Sequence, residues 1–273
     1  MNYKIILIST ALLILSCETK QKISYPEFYN RYRELTGSLN KKSIDTIISE
    51  FDELEDLVKN VPSSYYFGFA RFCAEEGKCD AAANYLKLAL INGQEYGKGI
   101  GAYKTIVPCP EEIELVLNEE SKIHNQNFNF TYKRLIDSIY TIDQNARNKQ
   151  EFERVKVIDS LNMLTILREI ELNGFPSAKN IGHASAWNAF IVLLHMDRDK
   201  NNEVLKPILD KALSEGEIWP RGYAWIVDRR RAWGDEKLEP YYYHMPSKKY
   251  DSFSLERINE INRRRDSIGL EPK

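Results

Sequence analysis

Residues 184–194, ASAWNAFIVLL, decide the fold expected for the C-terminal half of the chain. The stretch is almost wholly apolar around Trp187 and Phe190, so a helix formed by it would be apolar on nearly every side. A helix that is hydrophobic all round is buried in the core of its domain. We therefore predict a buried central helix over residues 183–196, with the rest of the C-terminal region packed around it.

Apolar residues recur at helical spacing on both sides of this segment, which predicts further helices. These are expected at about 129–148, 151–173, 202–215, 220–233 and 254–267. Gly174 closes the second of them and Pro176 follows shortly after, as is common where a helix ends. The fold class predicted for the chain is all-α.

The N-terminal half is predicted to begin with a helix near Tyr25-Pro26, followed by a second helix from Ser43 to Val61. Residues 63–93 then show the small and large residues of a helical hairpin that turns at Gly77. The hairpin resembles a tetratricopeptide repeat through Asp80-Ala81-Ala82-x-x-Tyr85-Leu86-x-x-Ala89, and a generic helical hairpin is the alternative. Because one repeat cannot bury its own face, we expect the preceding helix pair to stack on it.

The length of 273 residues allows one large domain or two smaller ones. The polar run Asn125-Gln126-Asn127 marks the predicted boundary between a tetratricopeptide-like region, residues 25–124, and a C-terminal helical domain, residues 125–273. The net charge is −2. Since phosphate recognition needs a basic face, we expect no nucleic acid among the partners. A protein partner of the repeat-like region is compatible with this composition.

Residues 1–17, MNYKIILISTALLILSC, have the features of a secretory signal, with an early lysine and an apolar run from Ile5 to Leu15. The ending Leu15-Ser16-Cys17 resembles a bacterial lipobox, which predicts a signal peptide over residues 1–16 and a lipid on Cys17. A membrane-spanning anchor is the alternative, but the run is about half of the roughly 20 residues required. Residues 17–24 would then be a lipidated tether to the membrane of the cell envelope, and Glu18 is compatible with the outer membrane.

Three cysteines remain after the signal, Cys73, Cys79 and Cys109. In an oxidising compartment two of them can form a disulfide and leave one free thiol. Cys73 could pair with Cys79 across the turn between them, or Cys109 could pair with either. Buried free thiols are the alternative, because unpaired cysteine packs as a small hydrophobe.

Polar residues gather on the helices that precede the central one. Asp143 and Arg147 are four residues apart, and Asp159 and Asn162 are three apart, so each pair projects from one face of its helix. His195 ends the central helix, where it could act as a general base. It could equally be a cationic residue favoured by the helix dipole at the C-terminal end. The carboxylates could bind or protonate a ligand, or form buried ion pairs between helices.

The order of these motifs resembles the bacterial family called domain of unknown function 6624, over about residues 130–272. The residues that carry the resemblance are Asp143-Gln144-x-x-Arg147, Asp159-x-x-Asn162, Gly174-Phe175-Pro176, Gly182, His195-x-Asp197, Asp228-Arg229, Tyr241 and Arg264-Arg265-x-x-x-Gly269-Leu270. Leu194, Met196 and Tyr242-Tyr243-His244 depart from the family pattern. The family has no established activity, so the resemblance implies a domain and no reaction.

Neither a metal nor a cofactor is expected. Asp197-x-Asp199-x-Asn201 begins like a calcium loop, but Asn202 stands where glycine is needed and Ile208 where glutamate is needed. Motifs of serine hydrolases and zinc proteases are missing from the sequence.

Two functional hypotheses follow. The first is a lipid-anchored envelope protein that binds a ligand or a protein partner through its helical domains. The second is an envelope hydrolase with a site built on His195, Asp143 and Asp228. The ligand-binding candidates are Gln144, Arg147, Asp159, Asn162, Arg229, Tyr241 and His244. A purely architectural role of these polar residues is the third possibility.

Overall fold

The computed structural model describes residues 23–38, 41–95, 108–195, 202–232, 239–243 and 252–273. Of these residues, 76% are helical, and the described ranges contain thirteen helices and no strand. The predicted all-α fold class is therefore confirmed. Cys17, Asp197 and His244 lie outside the described residues. Within the ranges given above, no helix is both long enough and apolar enough to cross a membrane.

The N-terminal half contains six helices in the described residues. They are α1 (Tyr25–Gly37), α2 (Ile44–Glu55), α3 (Ser63–Glu75), α4 (Cys79–Ile91), α5 (Pro110–Asn118) and α6 (Glu120–Asn127). Ser24 and Ser43 cap α1 and α2, because each hydroxyl accepts a hydrogen bond from a backbone N–H of the first turn. Helices α3 and α4 pack as a hairpin whose turn contains Gly77, at φ 70°. Its tetratricopeptide-like character stays a prediction.

The C-terminal half contains the other seven described helices. They are α7 (Phe130–Asn148), α8 (Phe152–Asn173), α9 (Ala178–Ile181), α10 (His183–His195), α11 (Asn202–Ser214), α12 (Pro220–Ala232) and α13 (Leu255–Ser267). Apart from the short α9, each agrees with its predicted range to within one residue at both ends. Helix α10 contacts α7, α8, α9 and α12, which is the central position predicted for it.

The predicted second helix is too long. It was expected to reach Val61, but α2 ends at Glu55. The backbone tightens there, since the N–H groups of Leu57 and Val58 donate to the carbonyls three residues back. Val61 precedes Pro62, and a residue before proline disfavours helical backbone angles. Val58 and Val61 are nevertheless buried, which explains why their apolar character continued the helical pattern.

Two hydrophobic clusters form the core. One draws its residues from Tyr25 to Leu117, and the other from Tyr132 to Leu270. The interval between them includes the predicted boundary after residue 124, and the division into domains stays a prediction. The disulfide joins Cys79 to Cys109, with 5.3 Å between their Cα atoms, while Cys73 is free and buried. Of the pairings left open by the sequence, this is the one formed.

The two halves meet through close contacts at glycines. A Cβ atom at Gly216 would lie 2.1 Å from a ring carbon of Tyr25, and one at Gly93 would lie 1.9 Å from the carbonyl oxygen of Ala178. The backbone N–H of His183 donates to the carbonyl of Gly93 at 2.8 Å. Gly216, Ala178 and His183 also line a cavity between the halves.

Candidate functional site

Asp143 is the centre of a polar network between α7 and α10. Only 1% of its surface is exposed. Its carboxylate accepts hydrogen bonds from Gln144 Nε2 at 2.6 Å and Arg147 Nε at 3.0 Å, and it lies 3.0 Å from Nδ1 of His195. The last contact joins the C-terminal end of α10 to α7, so His195 and Asp143 are partners in the folded chain.

Arg147 extends the network to α8. Its second guanidinium nitrogen donates to the carboxylate of Asp159, so one arginine bridges two carboxylates on two helices. Both of these carboxylates are largely buried, whereas Arg147 keeps 26% of its side chain exposed. Five of the residues predicted from the sequence, Asp143, Gln144, Arg147, Asp159 and His195, thus lie in one network.

The two carboxylates differ in their acidity. Burial raises the pKa of Asp143, but the hydrogen bond and charge of His195, followed by Arg147, outweigh it and leave the pKa below its ordinary value. Burial raises the pKa of Asp159 by more than the charge and hydrogen bond of Arg147 lower it, so the pKa of Asp159 is raised overall. Asp143 is therefore the stronger acid of the two, and Asp159 takes up a proton more readily.

Asn162, on the same helix as Asp159, is 7% exposed, and its side-chain nitrogen has no hydrogen-bond partner in the described part of the chain. A buried donor of this kind is costly unless something satisfies it.

Asp228 and Tyr241 belong to a different contact. The carboxylate of Asp228 on α12 accepts the backbone N–H groups of Tyr241 at 2.6 Å and Tyr243 at 2.5 Å. Burial raises its pKa more than these bonds lower it. The carbonyl of Tyr241 in turn accepts a hydrogen bond from the buried Arg265. Asp228 therefore holds the segment around Tyr241 onto α12. Arg229 follows Asp228 on α12, and its side chain also has an interaction partner.

The chemistry available at His195 follows from its partner. When Nδ1 donates to a buried carboxylate, the other ring nitrogen, Nε2, carries the lone pair and can accept a proton. This is the arrangement of a histidine general base oriented by an aspartate. The same contacts also form an ion network that joins three helices, as the architectural hypothesis requires.

A separate cavity lies where the two hydrophobic clusters meet. Its volume is about 510 Å³. Its wall includes Tyr32 and Tyr65 from the N-terminal half, and Trp187 and Trp219 from the C-terminal half. The two indole rings are nearly parallel, at 14°, with their centroids 5.9 Å apart. None of the candidate residues that the structure describes lines this cavity.

Charged and polar groups complete the cavity wall. They come from loops and helix ends of both halves: Asn60, Ser64, Lys179, His183, Glu215, Glu217, Arg221 and Glu271. Burial, reinforced by Glu215, raises the pKa of Glu217 to about 7. Burial lowers the pKa of His183 more than Glu95 raises it. Sequence analysis missed these groups because they come from distant segments without a shared motif.

One group of metal-ligand side chains is close together in the described residues, namely Cys79, Cys109 and Glu112. The disulfide uses both sulfur atoms of that group. A thiolate is the form of cysteine that binds metals. In the disulfide form this group therefore offers a metal only the carboxylate.

No protein-family model, curated protein or solved structure matches this chain. The resemblance of residues 130–272 to domain of unknown function 6624 accordingly stays a prediction.

Proposed function

We propose that the protein is a lipid-anchored protein of the bacterial cell envelope that binds a small-molecule ligand in the cavity between its two hydrophobic clusters. The observation that carries this proposal is the cavity itself, about 510 Å³ with aromatic and polar groups on its wall. Ligand sites in proteins are typically concave, about 300–1,000 Å³ in volume, and frequent at the junction of domains.

The way the cavity is built supports the same function. Its wall combines helix α10 and the loop before α12 with the start of α3, so a bound ligand would contact both halves of the chain. Tyr25 closes against Gly216 beside it, and Arg221 pairs with Glu271 at 2.8 Å at its edge. A ligand that binds the folded chain alone stabilises it by mass action. Binding should therefore raise the melting temperature.

The test is a thermal-shift screen of residues 18–273 against saccharides, amino acids, nucleosides, amines and fatty acids. Ser64 is exposed and lines the cavity, so Ser64→Trp should fill part of the space without disturbing the core. Ser160→Trp is the matched control, since Ser160 is exposed on α8 and absent from the cavity wall.

A compound that stabilises wild type and Ser160→Trp, but not Ser64→Trp, is the expected result. If every stabilising compound acts equally on both variants, or if no compound stabilises wild type, the cavity is not a ligand site.

The lipid anchor is proposed from the sequence of residues 1–17. Cells fed an alkyne-labelled fatty acid should attach the label to the wild-type protein and not to a Cys17→Ser variant. The variant should also leave the membrane fraction. Equal labelling of the two proteins, or none of the wild type, would contradict anchoring through Cys17.

A second candidate function, hydrolysis, is favoured by the 3.0 Å contact between His195 Nδ1 and Asp143. The test is the release of p-nitrophenol from acetyl and phosphate esters. If His195 is the base, His195→Asn should lower the rate about 100-fold or more at unchanged fold. Leu164→Ala, at an exposed position on α8, should leave the rate unchanged. Equal rates for wild type and His195→Asn would exclude this role.

A further inference from the structure

We infer that the ligand of the cavity is an uncharged oligosaccharide, which stacks a sugar ring on Trp187 or Trp219 and hydrogen-bonds its hydroxyl groups to the polar wall. This inference rests on the proposed ligand-binding function and adds the chemical class of the ligand.

The aromatic wall is the first argument. Trp187 is 42% exposed although it belongs to the central helix, most of which is buried. Leaving a large indole in contact with water gives up the free energy that its burial would contribute. An indole offers a flat apolar face of partial negative charge, and the C–H groups of a sugar ring carry partial positive charge. A sugar ring stacked on Trp187 would bury the indole and so regain that free energy.

The charges on the wall are the second argument. Arg221 pairs with Glu271 at 2.8 Å, and the ammonium group of Lys179 contacts the side-chain oxygen of Asn60. Glu215 and Glu217 add negative charge, while Lys59, Lys179 and Lys211 lie close enough to lower the pKa of Glu217. Positive and negative groups therefore nearly balance around the cavity. Such a wall gives a strongly cationic or anionic ligand no electrostatic advantage.

The mixture of hydrogen-bonding groups is the third argument. The wall offers donors from Lys179 and Arg221 and acceptors from Glu215 and Glu217, and the neutral imidazole of His183 can do both. Hydroxyl groups also donate and accept, so a sugar can satisfy both kinds. A fatty acid chain in the same space would cover the carboxyl group of Glu217 without giving it a hydrogen-bond partner, which is costly.

Glu217 is the polar group most open to a ligand. Its side chain makes no hydrogen bond or ion pair with the described residues, although it is half-buried at the cavity wall. At neutral pH its carboxyl group exists in both protonation states, so it can either accept a hydrogen bond or donate one. A sugar hydroxyl fits either state, because it can take the complementary role.

Isothermal titration calorimetry of residues 18–273 tests this inference with three neutral trisaccharides, namely cellotriose, maltotriose and triacetylchitotriose. Phenethylamine and decanoate serve as cationic and fatty-acid probes. At least one trisaccharide should bind at millimolar concentration or below. Trp187→Ala should weaken that binding about tenfold, as expected for the loss of one stacked ring. Ser160→Trp should bind like wild type.

Glu217→Leu is a second test variant, which gives an answer even if Trp187→Ala does not fold. Removing a half-buried carboxyl group without a partner should leave the fold equally stable or more stable, while binding weakens because an acceptor is lost. Unchanged trisaccharide binding in both Trp187→Ala and Glu217→Leu would overturn the inference.

Failure of the inference and failure of the proposed function have different outcomes. If decanoate or phenethylamine binds wild type but not Ser64→Trp, and no trisaccharide binds, the cavity is a ligand site of another class. If none of the probes binds and the thermal-shift screen finds no cavity-dependent compound, both proposals are wrong.

Discussion

Asp143 accepts hydrogen bonds from Gln144, Arg147 and His195 while almost completely buried. Replacing it by alanine would leave a guanidinium nitrogen of Arg147 and the imidazole of His195 without their acceptor. Asp159 has one such partner, Arg147, and is less buried. At the scale of single residues, the network therefore depends more on Asp143 than on Asp159.

We expect Asp143→Ala to lower the free energy of unfolding by about 3 to 5 kcal/mol, the usual effect of breaking a buried ion pair. Asp159→Ala should cost about 1.5 kcal/mol. Leu164→Ala, at a position 64% exposed on α8, should stay within about 0.5 kcal/mol of wild type. Urea unfolding measures all three. A neutral or stabilising Asp143→Ala would mean that the network is held at a cost to the fold, as functional sites often are.

Glu217 should make stability depend on pH. Its pKa is about 7 in the folded chain against an ordinary value of 4.5, so the folded state binds the proton more tightly. The stability contributed by this proton is complete below about pH 4.5 and is lost as the pH rises through about 7.

Glu217→Gln removes this dependence. Above pH 7 the variant should be more stable than wild type by about 1 to 2 kcal/mol, a figure reduced for solvent screening because the side chain is partly exposed. The difference should fade towards pH 4.5. Urea unfolding from pH 4.5 to 8 measures it, and a difference that does not vary with pH would show that Glu217 is solvated as in the unfolded chain.

At the scale of elements, the disulfide between Cys79 and Cys109 ties the start of α4 to the start of α5, across 30 residues of sequence. A crosslink over such a loop stabilises the fold mainly by restricting the unfolded chain. Cys73 lies inside the N-terminal core, where burial raises the pKa of its thiol to about 12. Its reactive thiolate form is therefore rare near neutral pH.

Reduction should lower the free energy of unfolding by about 3 to 4 kcal/mol. The double variant Cys79→Ala/Cys109→Ala should be insensitive to the reductant, which separates the effect of the disulfide from that of Cys73. In the oxidised native protein, iodoacetamide should label no thiol, and after unfolding it should label Cys73. Rapid native labelling of Cys73 would show that the N-terminal core opens locally.

At the scale of the whole molecule, the interface between the halves depends on glycines at positions where a Cβ atom would overlap the opposite half. Gly216 and Gly77 have almost the same backbone φ angle, 71° and 70°. A Cβ atom at Gly77 meets nothing within 4 Å, whereas one at Gly216 would overlap the ring of Tyr25. A substitution at Gly77 therefore measures backbone strain alone, whereas one at Gly216 measures backbone strain plus the steric overlap with Tyr25.

Gly77→Ala should cost about 1 kcal/mol, from the backbone angle alone. Gly216→Ala should cost about 1 to 3 kcal/mol more, because the methyl group forces Tyr25 away from the cavity edge. If urea unfolding shows that both variants lose the same free energy of unfolding, the ring of Tyr25 moves aside freely and the two halves are not closely packed at Gly216. A larger loss at Gly216 is the result that agrees with the close contact between Gly216 and the ring of Tyr25.

The helices could be predicted because their signals are local. Apolar spacing, the cap at Ser254, and Gly174 followed by Pro176 all act within a few residues, so their effect is visible in the sequence. The predicted end of α2 was wrong because Val58 and Val61, which follow the helix, are buried and continue its apolar spacing. The i,i+4 pair Asp143 and Arg147 was predictable for the same reason, since both residues lie on one helix.

The sequence by itself determined the all-α fold, the ranges of the C-terminal helices and the polar residues of α7 and α8. Only the tertiary structure decided that His195 meets Asp143, 52 positions away, and that Cys79 pairs with Cys109. It alone brings segments as distant as Tyr32 and Glu271 to one cavity. The physical reason is that helix formation depends on neighbours along the chain, whereas these contacts depend on how whole helices pack against one another.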